Sequence, residues 1–207
     1  MTRALGLCIA DGNGSPEFRR QAAEWSRSPW GGPVVELVVA SLKPEARWRL
    51  VADALAAHPG VEHLAIFCHG WANGLQLVPM AHVADLARAI APKRPGPGPV
   101  VTLYACSAAD GPHLGGDGGF ADALRDALCA AGATSCVVDA HVTAGHTTRN
   151  PYVRRFVGPL AATGGEYIVA PKSPLWRRWT RALTGDLRWE FPALGDDVIR
   201  ARLAAMP

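Results

Sequence analysis

Cysteine is scarce in this 207-residue chain: five residues, at positions 8, 68, 106, 129 and 136. An odd number at scattered spacing excludes a disulfide-stapled scaffold and points to a reducing compartment. Long apolar runs are missing too. No stretch reaches the roughly 18 consecutive apolar residues of a membrane helix. The short run after Met1-Thr2-Arg3 is broken by Asp11, too soon for a secretory leader. These absences predict a cytoplasmic chain without a transmembrane segment. Metal-ligand spacings of the CxxC, HxH or HExxH kind are absent, which argues against a metal. The glycine-rich stretch around Asp117 lacks a Walker lysine and the GxGxxG order, so no nucleotide cofactor is expected.

Charge is sparse, 19% of residues, against 49% apolar. That balance can bury a sizeable core and excludes intrinsic disorder. Twenty-one basic and 18 acidic side chains give +3, with 18 of the basic residues being arginine. The excess is uneven. Residues 1–148 carry −2 and residues 149–207 carry +5. A protein that coats nucleic acid along its whole length would not be so divided.

The first two-thirds alternate strand-like and helix-like segments, as in an α/β fold with a mostly parallel sheet. Strands are expected over 4–10, 34–39, 64–68, 100–105 and from 136. Helices are expected over 21–27, 44–57, 80–90 and 120–128. Asn73-Gly74 between apolar flanks predicts a small hairpin, and residues 93–99 (KRPGPGP) a stiff connector. Beyond His141 the pattern weakens. The expectation is a three-layer α/β/α domain over 1–170, followed by a basic, tryptophan-rich helical extension over 171–207. Trp176, Trp179 and Trp189 would pack that extension on the domain, or offer a surface to a partner protein.

Ligands in open α/β sheets bind outside the carboxyl ends of the strands. Asp11, His69 and Cys106 all fall at such ends. A thiolate nucleophile needs a base or cation to activate it, and an imidazole on a nearby strand supplies one. Gly70, directly after His69, lets the backbone approach a substrate carbonyl and offers an amide to an oxyanion. Cys8, Cys68, Cys129 and Cys136 read as packing thiols.

Two motifs carry a resemblance. Leu64-Ala65-Ile66-Phe67-Cys68-His69-Gly70 and Val100-Val101-Thr102-Leu103-Tyr104-Ala105-Cys106-Ser107 resemble the strand–His-Gly and strand–Ala-Cys pair of caspase-like cysteine peptidases. The pattern is most similar to bacterial CHAT, gingipain and metacaspase-type domains, over about residues 4–140. The resemblance implies a caspase-like fold and a cysteine endopeptidase acting on protein or peptide substrates. It implies His69 as base, Cys106 as nucleophile and the Gly70 amide in the oxyanion hole. Asp11, with Asp139 as a second acid, would line the pocket for a basic Arg or Lys at P1.

Other readings stay open. Ser107 in small-x-Ser-x-small spacing, with His69-Gly70-Trp71, suggests an α/β-hydrolase-like serine esterase, although no GxSxG elbow is present. A catalytically silent caspase-like scaffold or regulator is a third. Asp11-Gly-Asn-Gly could be only a tight turn.

Overall fold

The short apolar run Ala4–Ile9 forms β1, and all of its residues after Ala4 are buried, as befits a strand covered on both faces. In the computed structural model of the chain, residues 3–28, 30–111, 118–143, 153–159 and 166–167 are described. After β1 come α1 (Ser15–Ser26), β2 (Val34–Leu37), α2 (Pro44–Ala57) and β3 (His63–Phe67). A two-stranded hairpin, β4 (Gly70–Trp71) and β5 (Gly74–Leu75), turns at Asn73-Gly74. A 3-10 turn (Met80–His82), α3 (Val83–Ile90), β6 (Gly96–Tyr104), α4 (Gly119–Ala130) and β7 (Ala133–His141) follow, then β8 (Val153–Gly158) and β9 (Glu166–Tyr167).

The main sheet has the order β2-β1-β3-β6-β7-β8-β9. The first five strands are parallel, and β8 and β9 are antiparallel. Strand order reverses at β1, so the connection through α1 runs one way and those through α2, α3 and α4 the other. Right-handed crossovers then put α1 on one face and the other three helices on the opposite face. The packing of α2 on α3 and of α3 on α4 agrees with this. Helices therefore flank both faces of a mostly parallel sheet.

The α1 face carries an unusual amount of polarity. Trp25 of α1 lies edge-on to His63 and Phe67. His63 is 5% exposed, and its ring nitrogens sit 3.1 Å from the Trp30 carbonyl and 3.1 Å from the Thr102 hydroxyl. Thr102 pairs in register with Asp139, and Asp139 with Arg155. A polar row thus crosses β3, β6, β7 and β8, buried at His63, Thr102 and Asp139 and half-buried at Arg155, its groups bonded rather than stranded.

Several boundaries differ from the sequence expectation. Helix α1 starts at Ser15 and not at 21, because Gly14 enters the left-handed region and Pro16 fits the first helical turn. The Pro-Gly connector over 96–99 joins β6, with register shifts at Gly96/Pro97 and Pro97/Val100 absorbing its prolines. The basic segment beyond His141, where the sequence pattern weakens, supplies the strand β8. The expected C-terminal helical extension, with Trp176, Trp179 and Trp189, lies outside the described residues. So do His113, His146 and the glycine-rich stretch over 112–117. No described helix is long and apolar enough to cross a membrane.

Candidate active site

Strands β1, β3 and β6 are neighbours with parallel pairing, so their carboxyl ends open on one edge of the sheet. The last paired row between β3 and β6 joins Phe67 to Tyr104. Two residues further along each chain come His69 and Cys106. The sequence motifs are therefore brought side by side at the edge where ligands bind in such sheets.

The close approach is between the Gly70 backbone and Ala105-Cys106. A Cβ built on Gly70 would lie 2.7 Å from the Cys106 carbonyl oxygen and 2.8 Å from the Ala105 Cβ. Only a residue without a side chain lets the His69-Gly70 backbone close on Ala105-Cys106. Cys106 is a half-buried thiol. Its loop is pinned on two sides. Ser107 donates its N–H to the Thr143 carbonyl at 3.2 Å, and Ala109 to the His141 carbonyl at 2.8 Å, at the end of β7. Ala121, in the first turn of α4, donates to the Ala108 carbonyl at 2.9 Å. Ser107 itself takes a φ of 51°, a left-handed conformation costing a non-glycine residue about 1–2 kcal/mol. Such outliers persist where the surroundings over-determine them, and often at functional sites.

The imidazole of His69 is held from the β1–α1 junction. Its Nε2 lies 2.7 Å from the Asn13 carbonyl oxygen. A carbonyl only accepts, so Nε2 carries a proton in this bond, and in the neutral ring the lone pair is then on Nδ1. Phe18 meets the ring edge-on at 5.1 Å. Gly14, with φ 76°, passes so close that a Cβ there would sit 3.3 Å from Cε1 and Nε2 of the ring. Asn13, Gly14 and Phe18 were not singled out from the sequence. The Asp-Gly-Asn-Gly turn was legible, but which side chain it would hold was not.

No family model, no curated protein and no solved structure matches this chain.

The two acidic candidates have different surroundings. Asp11, just past the end of β1, accepts N–H bonds from Val39 at 2.5 Å and Ala40 at 2.9 Å. The Val39 amide first, then the Ala40 amide, hold its carboxyl below the usual carboxylate value. It remains a partly exposed anion on the same edge as His69. Asp139 is not at a strand end, since β7 continues to His141. Its side chain is 2% exposed and takes two 2.8 Å bonds from the Arg155 guanidinium. Those bonds raise the Arg155 pKa. Asp139 thus has its charge matched within the sheet, whereas both carboxylate oxygens of Asp11 are taken by the Val39 and Ala40 amides just past the end of β2.

The remaining thiols near the edge are quiet. Burial pushes the Cys8 and Cys68 thiols up to about 12, so both stay protonated at neutral pH. Among the described residues no group of three His, Cys, Asp or Glu side chains could hold a metal ion. What the edge does assemble is a half-buried thiol, an imidazole with a fixed tautomer, a glycine backbone in contact with the thiol's residue, and an anion nearby. A thiol, an imidazole and a backbone amide are group types that covalent acyl transfer draws on.

Proposed function

We propose that this chain is a cysteine endopeptidase of the caspase-like kind, with His69 and Cys106 as its dyad and a basic residue at P1. The observation that carries the reading is the closure of His69-Gly70 onto Ala105-Cys106 at the ends of two adjacent parallel strands. Nδ1 of His69 accepts the Cys106 proton, and the thiolate adds to the scissile carbonyl carbon. The oxyanion accepts the Gly70 N–H, and the imidazolium returns its proton to the departing amine. Water, deprotonated by the same imidazole, then cleaves the thioester and releases the acid with the thiol restored. Asp11, fixed by two backbone amides, supplies the negative charge for Arg or Lys at P1. Peptide amides with Arg or Lys at P1 should be turned over by wild type and not by Cys106→Ala. Undiminished turnover in that variant would remove the assignment.

One observation favours a second reading. Among the described residues, Ser107 is the non-glycine residue with positive φ, in the turn directly after β6. A strained turn of this sort also presents a serine nucleophile in hydrolases. Labelling separates the two: iodoacetamide inactivation with modification at Cys106 supports the thiol, and fluorophosphonate labelling at Ser107 supports the serine esterase.

A further inference from the structure

Two thiols that the proposed hydrolase does not use lie side by side, away from the candidate active site. Cys129, in the last turn of α4, and Cys136, on β7, bring their sulfurs to 3.9 Å. Cys129 is half-buried and Cys136 is 2% exposed. Strand β8 closes a third side. A Cβ on Gly158 would fall 2.3 Å from the Cys129 sulfur and 2.8 Å from that of Cys136. The β8 backbone therefore rests on both sulfurs and keeps other side chains out from that side. The Cys136 thiol is also 3.8 Å from the Arg125 carbonyl, its acceptor. A disulfide needs the sulfurs at about 2.0 Å, so its formation requires the two side chains to turn toward each other from 3.9 Å. The position in the sheet is distinct from that of Cys106. Cys136 precedes the row joining Val100 to Val137, whereas Cys106 lies past the far end of β6.

We propose that Cys129 and Cys136 form a redox-modification site, oxidised to an intramolecular disulfide by small disulfides of the oxidised-glutathione class. The Cys129 thiolate, the more accessible of the two, attacks one glutathione sulfur. The glutathione S–S bond breaks, one glutathione leaves as thiolate, and Cys129 carries a mixed disulfide. Cys136 then loses its proton to solvent and attacks the Cys129 sulfur, displacing the second glutathione. Two protein thiols are oxidised, and one small disulfide is reduced to two thiols.

The order of attack follows from the surroundings. Burial, then the charge and the hydrogen bond of Cys129, push the Cys136 thiol up to about 12. A buried thiol of that kind is a poor first nucleophile. Once Cys129 is capped its charge is gone, and Cys136 becomes easier to ionise beside the bond it must attack.

The test uses the full-length chain carrying Cys106→Ala, so its result is independent of any hydrolase activity. The folded protein is equilibrated in glutathione redox buffers, quenched in acid, alkylated, digested with trypsin and weighed. Residues 126–149 form one tryptic peptide containing both thiols. The expected product is that peptide without alkyl groups and lighter by two hydrogens. Adding Cys136→Ser should trap glutathione on Cys129, and adding Cys129→Ser should leave Cys136 unmodified. Full alkylation of both thiols at every buffer ratio would overturn the proposal. So would a glutathione adduct on Cys129 that persists while Cys136 is present.

Discussion

A methyl group on Gly70 would place its carbon 2.7 Å from the carbonyl oxygen of Cys106. The opposing atom is backbone in a loop tied to β7 and α4 by the amides of Ser107, Ala109 and Ala121, so it has little room to yield. The spacing between the two halves of the candidate site is therefore set by the missing side chain at position 70.

Gly70→Ala should separate these halves. Overpacking of this kind costs typically about 1–3 kcal/mol, which denaturant unfolding would read. Activity should fall further than stability, because about 1 Å of misplacement can cost on the order of 100-fold in rate. A Gly70→Ala protein with wild-type kcat/KM would contradict the contact's role.

Gly14→Ala tests the other support of the imidazole. The φ of 76° disfavours any side chain there, by about 1–2 kcal/mol, and the new Cβ would press on the His69 ring at 3.3 Å. Its rotation would weaken the Nε2–H bond to Asn13 that fixes the tautomer. We expect a loss of kcat of about 10-fold or more, with substrate KM little changed. A change confined to KM would argue that the ring had kept its place.

The strand ends were legible because each is a continuous apolar run stopped by a polar or small residue: Ile9 before Asp11, Phe67 before His69, Tyr104 before Cys106. In a parallel sheet such runs must finish on the same edge, so the candidate residues converge once the order is known. The basic strand β8 was not legible. Arg154 and Arg155 look like solvated loop residues until Asp139 and the Phe156 ring are seen to receive them. That pairing spans 16 residues and leaves no local signature. Position 96–99 misled for the opposite reason, since its prolines are tolerated by register shifts that only the partner strand reveals.

The Asp139–Arg155 pair should be asymmetric under mutation. Arg155→Ala takes two charge-assisted bonds from a carboxylate that is 2% exposed, a loss of about 3–5 kcal/mol. Asp139→Ala leaves an arginine whose side chain is 28% exposed and can reach water, so the cost should be smaller, about 1–3 kcal/mol. Urea unfolding of the two variants compares them directly. Equal losses would mean that the guanidinium is as confined as the carboxylate.

Asp11 gives a pH signature. Its carboxyl is held below the usual carboxylate value by the Val39 and Ala40 amides, so the folded state prefers the anion more than the unfolded state does. A depressed folded pKa contributes stability that is fully present above the unfolded value of about 3.9. That contribution is lost as pH falls through the folded pKa. Asp11→Asn should therefore unfold at lower urea than wild type near neutral pH, and the gap should shrink as the pH is taken below about 4. The same variant should lose preference for Arg or Lys at P1 if Asp11 supplies the pocket's charge. A gap that stays constant from neutral to acid would show that the two amides bind the neutral acid equally well, and would leave the anion at the edge without its support.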